Sequence, residues 1–325
     1  MIRSIKANEG IALVMTILVI SLIVILTLNF GISMRSNIHA ARNLGDGIEL
    51  GCIARSGFNA ALALLHQDAS SGNEDTLREN WAQTKSFSER STSLFNEGQF
   101  VVEITDLSGK IQLNQLVDDD GSYNSAQKSF LIRFMNSLEF GFNTDEVESV
   151  VDAIKDWIDS DNETTRFGAE NAYYKTLEKP YSCKNAPIEF LEELLFIRGI
   201  TKELAYGSGE KLGIAQYLSP KGDGKININT ADILVLRCLS DDIDQERAEN
   251  MVAYRENKDN DLSDPKWYKN VPGMSDVSIS DSLITTESTY FKITSEGFMG
   301  NMSKRIEATV ERKEQTLQVL SWKAE

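Results

Sequence analysis

Hydrophobic and polar positions divide the chain into three regimes. From Ile11 to Met34 there are 24 consecutive residues without a charged side chain. As a helix rising 1.5 Å per residue this run covers about 36 Å, enough to cross a bilayer. From Ser36 the chain continues without proline to about His66, with Ile38, Ala41, Leu44, Ile48, Cys52, Leu62 and Leu65 at three-to-four spacing and Arg42, Asp46 and Glu49 between them. The two stretches predict one continuous helix of about 56 residues, near 84 Å long. Its transmembrane half is 11–34, and its second half, 35–67, packs on a globular head.

The second regime is strand-like. QDASSGNEDTLRENW reads as a loop and a short helix, after which GQFVVEITDLSGKI alternates, placing Phe100, Val102 and Ile104 on one face and Val101, Glu103 and Thr105 on the other. Near the C-terminus TYFKITSEGF and SKRIEATVER alternate likewise around a short turn at Met299 to Met302, predicting a hairpin. About 175 residues separate the early strand from this hairpin, far beyond an ordinary loop, so they are expected to form an inserted domain. The head is then 68–110 together with 285–313, the insert 111–284, and 314–325 a C-terminal tail.

The insert reads as helical. GSYNSAQKSFLIRFMNSL, TDEVESVVDAIKDWI, APIEFLEELLFIRG and TADILVLRCL each have a polar start and then apolar spacing of three to four. Asn143 and Thr144 before Asp145 and Glu146, and Thr230 before Ala231 and Asp232, suit helix N-termini. GKIQLNQL at 109–116 returns as GKININTA at 224–231, two entries of a strand-like run into a capped helix. Helix-hairpin-helix echoes occur in ELLFIRGITKELA and LVLRCLSDDIDQERAENMVAYR. DNA binding by such hairpins needs cations facing phosphate, whereas SDDID puts three acids at the second turn, so these helices are read as packing elements. The expected fold class is α+β: a long N-terminal helix, transmembrane in its first half, on a small antiparallel sheet with a large inserted all-α domain.

Charge and composition narrow the function. The 33 Lys and Arg against 49 Asp and Glu give a net charge of −16, which disfavours nucleic acid as the main partner. Cys52, Cys183 and Cys238 lack CxxC spacing; a Cys183–Cys238 bridge and three idle thiols both remain open. The only histidines, His39 and His66, fall on the long helix, and no P-loop or GxGxxG follows a strand, so no enzymatic activity is expected.

Ahead of the apolar run stands a ten-residue leader with Arg3 and Lys6, ending in Gly10 and followed by IALVMTILVI. An uncleaved single-span anchor is one reading of this stretch. The other is that it resembles a class III leader of type IV pilins and pseudopilins, cut by prepilin peptidase between Gly10 and Ile11. Most such proteins have glutamate as the fifth residue after the cut, but here it is Met15. That absence, the layout of spine, strand, helical insert and closing hairpin, and the stretches DWIDSDNETTRFGAENAYY, KININT, VAYR and ITSEG together resemble the K minor pseudopilins of type II secretion over nearly the whole chain.

The resemblance implies a pilin-like spine, leader cleavage and methylation. It also implies a single-pass protein of the inner membrane with a periplasmic head, at the tip of the pseudopilus. Implied partners are the I- and J-type minor pseudopilins, the major pseudopilin and prepilin peptidase, with secretin or exoprotein as further contacts. A minor pilin of a type IV or DNA-uptake fibre, or a membrane-anchored nucleic-acid receptor built on the helical hairpins, is the alternative.

One segment suggests a metal. In DSDNETTRFGAE, residues 159–170, Asp159, Asp161, Glu163 and Glu170 stand at positions one, three, five and twelve, as oxygen ligands do in a calcium loop. Thr164 stands where an EF-hand requires glycine, and glycine comes only at position ten, as Gly168, so a true EF-hand is not expected. Spacing by itself favours a solvated acidic loop, and the family resemblance raises a Ca2+ site level with it, with Asp159, Asp161 and Glu170 ahead of Glu163 as ligands. The acidic runs 118–120 and 256–264 could supply a second site but read first as exposed loops.

Overall fold

The computed structural model describes residues 8–325 apart from 71, 73, 138, 139, 142, 143 and 210. The basic leader residues Arg3 and Lys6, and Asn143 of the expected cap, lie outside the described residues. Helix α1, Asn8–Asp68, is one unbroken element of 61 residues, about 92 Å long. No proline interrupts it, and the apolar run that could span a membrane lies in its first half with large side chains about half to two-thirds exposed. Burial starts later than the spacing suggests. Ile38, Leu44 and Ile48 are exposed, and the packed stripe is Leu50, Ile53, Ala54, Phe58, Ala61 and Leu65.

That stripe lies on a four-stranded antiparallel sheet. Its strands are β1, Gln99–Asp106; β6, Tyr290–Met299; β7, Met302–Lys313; and β8, Thr316–Ala324; they lie in the order β1-β6-β7-β8. Phe100 pairs with Gly297 and Ile104 with Ile293, and Phe100, Val102 and Ile104 are buried as the alternation requires. The C-terminal tail expected at 314–325 is corrected: it is strand β8, joined to β7 by a tight turn with Glu314 in the left-handed region at φ 53°. Its alternation is invisible because both faces are largely exposed and a bulge shifts the register at Thr309/Val310. The short helix expected before β1 is α2, Lys85–Arg90, later than the segment read for it.

Close approach of α1 to the sheet depends on small residues. A Cβ on Gly57 would stand 2.3 Å from Ser295 Oγ, and one on Gly297 would stand 2.9 Å from both Ala54 N and Leu50 O. Ser295, fully buried, donates its hydroxyl to Ala54 O at 2.8 Å.

The chain leaves the sheet after Asp106 and returns at Tyr290. Between them lie β2, Ile111–Gln112; α3, Ser125–Met135; α4, Thr144–Ile158; α5, Asn171–Tyr174; α6, Lys202–Tyr206; β3, Leu218–Ser219; β4, Ile226–Asn227; α7, Ile233–Arg237; α8, Gln245–Glu256; and β5, Ile284–Thr285. The expectation of an all-α insert is corrected by two short parallel pairs, β2 with β3 and β4 with β5. The echo at GKIQLNQL and GKININTA is where they form. The two copies also meet, Gln112 Nε2 donating to Lys225 O at 2.7 Å, and the Asn227 N–H reaches Ser108 O, just before the first copy, at 2.9 Å. APIEFLEELLFIRG contains only a six-residue 3₁₀ segment, Leu191–Phe196, and α7 is capped by Asp232 rather than Thr230, whose hydroxyl turns to Asp106. A single apolar core joins α3, α4 and α7, with Phe130, Phe134, Val151, Ile154 and Val235 completely buried. Cys183 and Cys238 are buried there without a disulfide between them, and Cys52 is exposed.

Candidate functional site

The acidic segment after α4 forms a compact centre. Helix α4 ends at Ile158, which places Asp159 just past its C-terminus, where partial negative charge from the helix carbonyls accumulates. The chain then loops out and returns as the N-cap of α5, where Glu170 Oε2 accepts the Asn171 N–H at 3.2 Å. Gly168 makes the return possible, since a Cβ there would overlap Asp156 Oδ2 and come within 2.9 Å of Asp152 O. The glycine at position ten thus serves close approach to α4, a different task from the EF-hand turn.

Carboxylate oxygens of Asp159, Asp161 and Glu170 come within 4.8 Å of one another. Glu163 is not in the group: it is exposed, and its N–H donates to Asp161 Oδ1 at 2.6 Å. A residue without a spacing signal joins instead. Asn185, held at φ 47°, donates its amide to Asp161 O and leaves Oδ1 buried. Asp159 Oδ1, Glu170 Oε1 and Asn185 Oδ1 are buried acceptors without a hydrogen-bond partner. Asp159 is 3% exposed and Glu170 2%. Buried acceptors left unpartnered are costly, and two of these three belong to carboxylates of the acidic group while the third belongs to the residue bonded to Asp161 O. Oxygen-only donors suit a hard divalent ion such as calcium.

Electrostatics agree with that geometry. Burial pushes the Glu170 carboxyl up to about 7, with Asp156 and Asp159 adding repulsion. Burial likewise raises Asp156, whose two oxygens accept the Thr165 N–H at 3.1 and 3.2 Å. Neighbouring segments are stitched around the centre: Asn171 Nδ2 donates to Asn162 Oδ1, and the Cys183 N–H donates to Asn171 Oδ1 at 3.0 Å. No sequence pattern announces Asn185, because it is brought in from another segment by the fold.

A second acid group, Asp68, Asp75 and Glu79, already holds a cation of the protein's own. Arg312 pairs with Asp68 at 2.9 Å and closely with Asp75, and donates to Ser288 O at 3.0 Å. Among the described residues the runs 118–120 and 256–264 bring no three acids together, and Asp120 and Asp261 accept N–H groups in their own turns.

Comparisons with known proteins follow the same layout. Two family models described as type II secretion system (T2SS), protein K, match residues 109–206 and 226–287. Type II secretion system protein K of Aeromonas hydrophila is 26% identical over 332 residues, spanning 95% of this chain and 94% of that protein. The Klebsiella pneumoniae protein of the same description is 27% identical over 201 residues, 61% of this chain and 60% of its own. A chain of the crystal structure of the GspK-GspI-GspJ complex from the enterotoxigenic Escherichia coli Type 2 Secretion System has the same fold. Its TM-score is 0.69 at 17% identity, covering 88% of this chain and 99% of that one.

Proposed function

This chain belongs to the type II secretion system protein K family, and on that premise we propose that it is a minor pseudopilin at the tip of the pseudopilus, where it initiates or caps fibre assembly. The observation that carries this is α1: one helix whose apolar first half projects free of the head while its last third is welded to the sheet. Such a helix anchors the chain in the inner membrane, with the head in the periplasm, before prepilin peptidase cuts between Gly10 and Ile11 and the new N-terminus is methylated.

Within the fibre, apolar faces of neighbouring helices would then pack side by side. Met15 in place of an acid suits a subunit with nothing above it, since no partner amine needs neutralising there. The insert adds bulk that a mid-fibre position would have to accommodate. I- and J-type minor pseudopilins are the partners this reading names first, as the GspK-GspI-GspJ complex of the structural relative suggests. Contacts with the major pseudopilin, and with secretin or exoprotein through the acidic surface, extend it.

Calcium belongs to the same reading. Asp159, Asp161, Glu170 and Asn185 would hold it, and its charge would bind the loop 159–170 to the segment around Asn185. The function is that of an assembly component, and no catalytic step is assigned to it.

Mass spectrometry of the N-terminus from cells with and without prepilin peptidase tests the proposal. A mature chain beginning at Ile11 only when the peptidase is present is expected. An intact N-terminus in both strains would leave a plain membrane anchor.

A further inference from the structure

We propose that Lys155 sets the charge of the acidic centre, and with it the strength and valence preference of cation binding there. The inference rests on the calcium reading above and concerns a residue that is not itself a ligand. Lys155 lies one helical turn before Asp159 on α4, and its ammonium pairs with Asp159 Oδ2. Both side chains are enclosed, 11% and 0% exposed. This is a built-in pair, unlike a mobile surface lysine.

The pair divides Asp159 in two. Oδ2 belongs to Lys155, while Oδ1 is buried and without a hydrogen-bond partner. Asp159 therefore offers a cation one oxygen, and Lys155 holds the carboxylate in the orientation that offers it. Neighbouring groups keep the lysine in place. The Tyr123 ring lies 5.7 Å from its ammonium, the Tyr123 hydroxyl donates to Asp152 Oδ1 at 2.5 Å, and Lys128 pairs with that same oxygen at 3.7 Å. The charge one turn earlier is thus met by a different lysine, and Lys155 serves Asp159.

Charge counting gives the consequence. With all three ionised, Asp159, Asp161 and Glu170 contribute three negative charges and Lys155 one positive, a sum of −2 over these four groups that a divalent ion offsets, with Asp156 adding negative charge from outside the set. Without the ammonium the sum is −3, which strengthens attraction for any cation and favours a trivalent one most. Lys155 also keeps the cation-free fold from carrying three unopposed carboxylates.

The test uses the full chain in detergent micelles, titrated with calcium by calorimetry and with terbium by sensitised luminescence. Lys155→Met is expected to bind calcium about tenfold more tightly and to gain more still for terbium. It should also melt at a lower temperature in chelator and show a larger calcium-induced rise. Lys155→Gln, which keeps a donor for Asp159 Oδ2 but no charge, should show the same gains if the methionine variant does not fold. Lys155→Arg should stay near wild type. Calcium binding by the uncharged variants that is equal to or weaker than wild type, or an equal gain for both ions, overturns the inference and leaves the calcium reading standing. Absence of binding by wild type and variants alike overturns both.

Discussion

Arg312 on β7 donates to Asp68, the last residue of the N-terminal helix, at 2.9 Å, and this contact ties the far end of the spine to the third strand of the sheet. The same guanidinium pairs with Asp75 and stacks 4.7 Å from the Phe291 ring. Its side chain is 9% exposed, so removing it would strand two enclosed carboxylates. Arg312→Met should cost about 3–5 kcal/mol, read by chemical denaturation. A loss below about 1 kcal/mol would show that Asp68 and Asp75 find other partners. Arg312→Lys should recover only part, since an ammonium cannot reach both acids in the fork geometry.

Helix and sheet touch where side chains are smallest. A Cβ at Gly297 meets backbone on the facing helix at 2.9 Å, so Gly297→Val has to push α1 away from β6. The expected loss is about 1–3 kcal/mol, with faster proteolysis of α1 around Leu50. Unchanged stability and protection would mean that the helix can slide without loss of packing.

Asp106 fastens the insert to the head. It is buried at the end of β1 and accepts the Ser108 N–H at 2.7 Å, the Ser288 hydroxyl at 2.6 Å and the Thr230 hydroxyl at 2.5 Å, with Asn227 Nδ2 at 3.3 Å. Asp106→Ala leaves several buried donors unmet and should destabilise by about 3 kcal/mol or more. Asp106→Asn should cost less, because it keeps the shape and one acceptor. Denaturation curves of the two variants separate these outcomes, and equal losses would show that shape matters little there.

As a calcium ligand, Asn185 would supply an oxygen but no charge. Asn185→Ala removes that oxygen and places an alanine at φ 47°, which costs about 1 kcal/mol by itself. Calcium affinity should fall on the order of tenfold, while Asn185→Asp should raise it. Titration calorimetry distinguishes the two, and an unaltered affinity in the alanine variant would exclude Asn185 from the ligand set.

Glu170 gives the protein a pH signature in chelator. Its folded carboxyl stands at about 7 against an ordinary value of 4.5, so the proton is bound more tightly in the folded chain. Stability from this group is fully present below about pH 4.5 and is lost as pH rises through about 7. Melting temperature in chelator should therefore fall on the order of 5 °C between about pH 5 and pH 8. Glu170→Gln should reduce that slope, with Asp75, which burial also pushes up to about 7, leaving a remainder of the same sign. A wild-type melting temperature that rises over this range would contradict the assignment.

Along the chain, the features legible in advance are those written by local periodicity. The uncharged run 11–34 and the proline-free continuation dictate a single long helix, because every backbone donor in such a stretch is satisfied within the helix itself. Alternation over 99–106 and 290–313 dictates strands, since a half-buried strand must put apolar residues on one side only. The position of Asp159, Asp161 and Glu170 in one loop also announces a cluster, because a loop closing on a helix end returns its acids to the start.

Tertiary structure decided what depends on segments distant in sequence. Which face of α1 is buried was set by the sheet it meets: the exposed Ile38, Leu44 and Ile48 have the same spacing as residues that are covered further along. Strand β8 exists because β7 offers it an edge, while its own faces are too exposed to carry a pattern. Asn185 is bonded to the acidic loop with its Oδ1 buried, and Glu163 stays outside the acid group, because burial of an oxygen is a property of the packed chain and spacing cannot encode it. Periodicity therefore determined the spine and most of the sheet, and only the fold could set Asn185 beside Asp161 and enclose the Lys155–Asp159 pair next to the acidic loop.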